Sequence, residues 1–226
     1  MKKIFYLLTV FFLTTNFVVA QEFSIGIRDG ISWSWIKGSF NSGNPDIKCR
    51  IGHVPGLLLN MRAAAFLTLQ MEINYEEKGF SYTNIMDGGG FRGSYDFNYL
   101  SIPFMANFEI GNNIRYFGYA GLSAGFLVKA KNYSSASSTS SPDPVIYDRS
   151  YDPTEYVNEY EFGGLVGLGI RIPLCEKVKM NIDSRFNFGL TRAAQNREGD
   201  TFPPDDFQDV YNRSVVVSLG ILYRVH

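Results

Sequence analysis

From Phe23 to Trp35 the apolar side chains fall on every second residue. Phe23, Ile25, Ile27, Ile31, Trp33 and Trp35 share one parity, and Ser24, Gly26, Arg28, Gly30, Ser32 and Ser34 hold the other. Only Asp29 breaks the apolar row. A period of two sorts residues between the faces of a strand and would scatter them round a helix. The alternation returns in 66–82, 114–129, 160–173, 178–192 and 211–225. Two further segments are less regular. The stretch 51–61 carries the mixed run Gly56-Leu57-Leu58-Leu59-Asn60, and 95–108 changes phase near Tyr99. Pro103 in the latter points to a bulge or a locally unpaired amide. The pattern predicts eight strands.

The connections between them alternate in length. Residues 62–65, 109–113 and 174–177 form short links, whereas 37–50, 83–94, 130–159 and 193–210 are long and rich in Gly, Ser, Asn and Asp. Strict alternation of short and long links marks an up-and-down barrel with short periplasmic turns and long, solvated external loops. A lipocalin-like barrel has eight strands too, but it turns its apolar face inward around a ligand. Here the face opposite the apolar one holds Arg28, Glu72, Glu76, Arg171, Lys179, Asp183, Arg185 and Arg224 among many small residues. Such charges suit a narrow lumen in which they pair with one another, and eight strands leave an interior just filled by side chains. Trp33, Trp35, Tyr82, Tyr95 and Tyr211 fall near external strand ends and Tyr116 near a periplasmic one, as aromatic girdles do. The expected fold is therefore all-β: an eight-stranded antiparallel up-and-down transmembrane β-barrel.

The start of the chain agrees with export. Lys2 and Lys3 precede the apolar stretch 4–13, and Val18-Val19-Ala20 offers a cleavage site before Gln21. Residues 1–20 are expected to be a signal peptide cleaved after Ala20, leaving 21–226 as one barrel domain. The apolar core is too short to span a bilayer. A content of 45% hydrophobic residues excludes a disordered chain, and a formal charge of -1 argues against nucleic acid as a partner.

Several tracts resemble the PorT-like outer-membrane β-barrel proteins. They are Gln21 with the strand Phe23-Ser24-Ile25-Gly26-Ile27-Arg28-Asp29-Gly30, the run from Leu69 to Lys78-Gly79-Phe80, Tyr99-Leu100-Ser101-Ile102-Pro103-Phe104, and Gly163-Gly164-Leu165-Val166-Gly167-Leu168-Gly169. The resemblance covers nearly the whole mature chain and is most specific at Lys78-Gly79-Phe80. It implies an eight-stranded outer-membrane barrel. It implies no single function, since the family is broad and only a few members look like parts of a secretion and gliding apparatus.

Catalytic chemistry finds little support. Of two histidines, His226 is terminal, and His53 has no serine tied to it by a recognisable motif, so a surface or girdle role outweighs a general base. Glu72, Glu76, Asp183 and Arg185 are read as lumen filling with Arg28 and Arg171 rather than as an acid–base cluster. No Cys/His grouping suggests a metal, and no cofactor is expected. Cys49 and Cys175 fall on opposite sides of a hydrophobic band about 25 Å tall, out of disulfide reach, and both are expected free. The favoured function is non-enzymatic: a monomeric barrel in outer-membrane lipid, presenting loops to a protein or surface ligand. Tyr133, Tyr147, Tyr151 and Tyr156 are the candidate contact residues. The alternative is a narrow channel for small solutes or ions.

Overall fold

The computed structural model describes residues 22–38, 46–86, 89–138, 145–152, 157–193 and 210–225. Among these residues ten strands follow one another: β1 (Glu22–Lys37), β2 (Asp46–His53), β3 (Gly56–Ala64), β4 (Leu67–Met86), β5 (Gly89–Ile110), β6 (Arg115–Ser138), β7 (Val145–Tyr151), β8 (Tyr160–Pro173), β9 (Val178–Gly189) and β10 (Tyr211–Arg224). All pairings are antiparallel. Eight strands make a ring, β1–β3–β4–β5–β6–β8–β9–β10, and the β10–β1 pairing closes it. The expected signal peptide, residues 1–20, lies outside the described residues.

The other two strands extend the wall. The segment expected as one strand over 51–61 is broken at Val54–Pro55, because proline has no N–H to continue the ladder. Its upper part, β2, and its lower part, β3, occupy one place between β1 and β4. Strand β7 pairs only with the upper part of β6. The stretches 37–50, 83–94 and 130–159, read as loops, are thus partly strand, the first through the start of β2. Residues 83–94 belong to a hairpin in which β4 and β5 stay paired as far as Met86 and Gly89, and 130–159 contains the β6–β7 hairpin. Short polar side chains hid this, since Gly and Ser have little strand propensity and give no apolar period.

A row of partnered residues fixes the geometry of the ring. Leaving β1 at Phe23, it passes Met61, Leu69, Ala106, Ala120, Val166, Phe186 and Val215 and returns to β1 at Trp33. The return falls ten residues higher on the same strand. A stagger of this size in an eight-strand ring tilts the strands by about 40° and leaves an interior that side chains fill.

The two faces sort as an inside-out protein. Ile27, Leu122 and Leu168 on the outer face are 64%, 67% and 69% exposed, whereas Arg28, Glu72 and Arg185 are buried inside. In water this arrangement would be costly; in hydrocarbon it is the favoured one. Trp33 and Tyr116 do face outward, and Tyr160, not among the expected girdle residues, faces outward with them. Tyr82 and Tyr95 do not belong to a girdle: they stack 6.0 Å apart inside the barrel, and Tyr95 stacks on Phe80 at 5.1 Å.

Strand β5 keeps one phase throughout, contrary to the expected change near Tyr99. Tyr95, Phe97, Tyr99, Ser101, Met105, Asn107 and Glu109 all point inward. What changes at Tyr99 is the chemistry of the lumen, aromatic above and largely polar below. The irregularity sits on β6, where Val128 is the extra residue between the Asn98–Lys129 and Tyr99–Leu127 pairs. Pro103 marks an unpaired amide rather than a bulge. The β4–β5 ladder lapses between Met71–Phe104 and Asn74–Ser101 with no change of register.

Two measurements check this fold. Unboiled protein should migrate faster than boiled protein in detergent gels, because the closed ring stays compact until heated. Leu122→Arg on the outer face should cost roughly 2–4 kcal/mol of insertion or folding free energy near mid-bilayer. Thr83→Arg on the external hairpin should cost far less; equal effects would contradict the assigned band.

Candidate functional site

The lumen is built from residues of even parity on β1, β4 and β10 and of odd parity on β5, β8 and β9. At the periplasmic mouth Glu22 pairs with Lys179 and lies 3.8 Å from Arg62. Arg171 pairs with Glu109 and donates from Nε to Asn181 at 2.9 Å, and its guanidinium lies 5.3 Å over the Phe117 ring. Arg115 reaches the same Glu109 at 3.2 Å. These side chains close the mouth around a cavity of about 10 Å³, room for at most one water.

Midway, Glu72 is the hub. It pairs with Arg28, accepts from Arg185 at 2.7 Å, and takes amide bonds from Gln70 at 2.6 Å and Asn74 at 2.8 Å. Arg185 also reaches Glu76 at 3.3 Å. Ser218 accepts from Arg28 and donates to Asp183 at 2.7 Å, and the Tyr119 hydroxyl donates to the same carboxylate at 2.6 Å. Above, Lys78 sits between Glu76 at 2.9 Å and Glu161 at 2.6 Å, with Asn212 donating to Glu161. Each buried charge thus faces an opposite one, the condition under which buried ions are tolerated.

Apolar side chains seal what remains. Phe80, Tyr95, Phe97, Tyr99, Ala130, Val157 and Val210 form a plug on the external side of Lys78. Below it, Met105, Phe117, Tyr119 and Leu165 fill the opposite wall. This second cluster depends on small partners. A Cβ on Gly167 would lie 2.4 Å from the Tyr119 ring, and one on Gly169 would lie 2.5 Å from the Phe117 ring.

Of the residues singled out by sequence, Arg28, Glu72, Glu76, Asp183 and Arg185 meet in this central network. Arg171 lies in the same lumen but in the periplasmic cluster. Sequence reasoning missed Glu109, Lys78 and Glu161. Glu109 was placed in a turn, yet Lys78 shares the parity of Glu72, Asn74 and Glu76 and could have been found by it.

The outer face above the girdle offers a second place. Lys48, Ser81, Thr83, Arg92, Ser94 and Tyr133 line a concave surface across β2, β4, β5 and β6. Lys131 Nζ lies 3.3 Å from the Tyr133 hydroxyl and 5.9 Å over its ring. Of the other candidate tyrosines, Tyr147 and Tyr151 belong to β7 rather than to a loop, and Tyr156 lies outside the described residues.

His53 is not a solitary surface histidine. Its Nε2 lies 2.6 Å from Asp29 Oδ1, on the outer face of the wall. Among the described residues no serine or lysine is bonded to the pair. Among the described residues no group of three or more His, Cys, Asp or Glu side chains could hold a metal ion. Cys49 and Cys175 are free and exposed.

The outer membrane protein beta-barrel domain matches residues 19–195. The chain belongs to that family, and the bacterial outer membrane is its location. No curated protein matches it in sequence. Solved structures with a similar course include Ail, the attachment invasion locus protein of Yersinia pestis, at 13% identity over 90% of this chain and 100% of that one, TM-score 0.40. Neisserial surface protein A is similar at 14% identity over 88% and 96%, TM-score 0.43. The outer membrane protease OmpT of Escherichia coli is similar at 8% identity over 91% and 97%, TM-score 0.34. The family match, and not these likenesses, carries the assignment.

The central network makes a stability prediction. Arg185→Ala leaves Glu72 and Glu76 short of a buried cation and should cost roughly 3–5 kcal/mol in reversible unfolding from lipid vesicles. Lys48→Ala, at an exposed pair with Asp46, should change the midpoint little. Equal shifts would show that the lumen charges are as solvated as the surface ones.

Proposed function

We propose that this barrel is a non-enzymatic, monomeric outer-membrane anchor that holds an external β-platform for a protein or surface ligand. The observation that carries the reading is the contrast between its two ends. The lumen is stopped by the Glu109–Arg171 cluster, the Glu72 network and the aromatic plug, whereas β4, β5, β6 and β7 continue beyond the girdle as paired sheet. A paired platform presents side chains at fixed spacing, which lowers the entropic cost of binding. Lys48, Arg92 and Tyr133 on that surface supply two cations and an aromatic ring, the kinds of anchor that dominate recognition.

The channel alternative finds less support, because an eight-strand ring already leaves little space and here that space is occupied. An enzymatic reading would need a nucleophile beside the Asp29–His53 pair, and none is bonded to it among the described residues. Within the family, the tract ending in Lys78-Gly79-Phe80 favours the PorT-like group, a narrower placement that is also our proposal. So is removal of the first twenty residues after Ala20.

Purified protein in a planar bilayer should give no stable open current; a steady conductance would favour the channel. Sidedness can be read without engineering. A membrane-impermeant thiol reagent added to intact cells should label Cys49 and spare Cys175 until the outer membrane is permeabilised. Labelling of Cys175 alone in intact cells would place the platform in the periplasm and end this reading.

A further inference from the structure

The outer wall carries a polar notch beside apolar side chains. Asp29 shares a face with Ile25, Ile27, Ile31 and Trp33, and its side chain is 64% exposed there. It lies four residues below Trp33, roughly 10 Å deeper along the membrane normal at a strand tilt of about 40°. His53, on the neighbouring strand, bonds to it through Nε2 at 2.6 Å, and the Glu77 carboxylate accepts the His53 backbone N–H at 3.2 Å. Ionisable side chains facing lipid are rare and mark function by default.

The notch has a definite polarity. The ring of His53 is held against one carboxylate oxygen and its backbone N–H against another. Asp29 Oδ1 takes the ring contact and the Gly30 N–H at 2.8 Å, which leaves Oδ2 over. Glu77 Oε2 serves the His53 amide, which leaves Oε1. The notch thus presents two carboxylate oxygens, Asp29 Oδ2 and Glu77 Oε1, to which no donor is bonded among the described residues. Directly below it Ile25, Ile27, Leu57, Leu59 and Ile73 line a shallow apolar hollow. Acceptors left without donors in hydrocarbon are costly.

We propose that the Asp29–His53–Glu77 notch and the hollow beneath it form a binding site for an outer-leaflet lipid that carries hydroxyl or amide N–H donors at the root of its acyl chains. The chain lies in the hollow and the donors meet the notch. An ordinary diacyl ester phospholipid brings only ester acceptors to that depth and is not a match. A second copy of this chain related by a two-fold axis would set acceptors against acceptors. Both a sugar-bearing glycolipid and a sugar-free amide lipid have the required chemistry.

The test uses the full barrel in nanodiscs and native mass spectrometry, with two synthetic probes of equal chain length: an N-acyl amide lipid with a hydroxyl beside the amide, and a diacyl ester phospholipid. Wild type should retain the amide lipid at least tenfold over the ester. Asp29→Asn, which keeps the shape but replaces an acceptor with a donor, and Glu77→Gln should each cut that preference severalfold with heat-modifiability unchanged. Equal retention of the two probes by wild type overturns the proposal, as does an undiminished preference in both variants. A photo-crosslinking residue at Leu57 in native membranes should yield a lipid adduct. Its mass, with or without sugar, identifies the source, whereas a cross-linked dimer of the chain overturns the lipid assignment.

Discussion

Closure of the strand ladder is the constraint on which the rest of this molecule depends. In hydrocarbon no water is present to satisfy a sheet edge, so a spanning sheet must end on itself. Here the pairing of β1 with β10, from Ser24–Arg224 to Lys37–Tyr211, supplies that end. Eight strands and a stagger of ten residues then set the width of the interior, and the interior can be nothing but narrow.

A narrow interior behind an apolar outer face decides the chemistry inside. Side chains that cannot face lipid must face one another across the ring, so each charge needs an opposite one within reach. Glu72 binds cations from both β1 and β9, which ties the closing seam to the opposite wall. Lys78 performs the same service for β4 and β8 through Glu161. The aromatic plug begins just where this polar packing stops. Packed in this way, the lumen is a core rather than a conduit, and what the protein offers to its surroundings is moved to its outer surfaces.

Period two made most of the ring legible in the sequence, because a one-sided apolar face is a strong and local signal. The parity of Arg28, Glu72, Glu76, Asp183 and Arg185 followed from it. Three kinds of feature escaped. The external hairpins are built of Ser, Gly and Asn, whose pairing is fixed by strands already in register rather than by their own preferences. The apparent phase change at Tyr99 came from taking apolar to mean outward; Tyr95 and Phe97 are apolar and inward because the lumen itself is apolar there. Contacts such as Asp29–His53 join strands in a register no local pattern encodes, so the lone break in the first apolar row looked like noise.

The first and last described strands close the ring in one register. Paired cysteines across the seam test this closure most directly, in a background in which Cys49 and Cys175 are replaced by serine. Ile27 and Ile221 are partners across the β1–β10 seam. Ile27→Cys with Ile221→Cys should cross-link on oxidation in membranes and yield a circular, faster-migrating species, whereas Ile27→Cys with Val217→Cys should not. Failure of the first pair to cross-link, or equal cross-linking of both, would contradict the closed barrel described here.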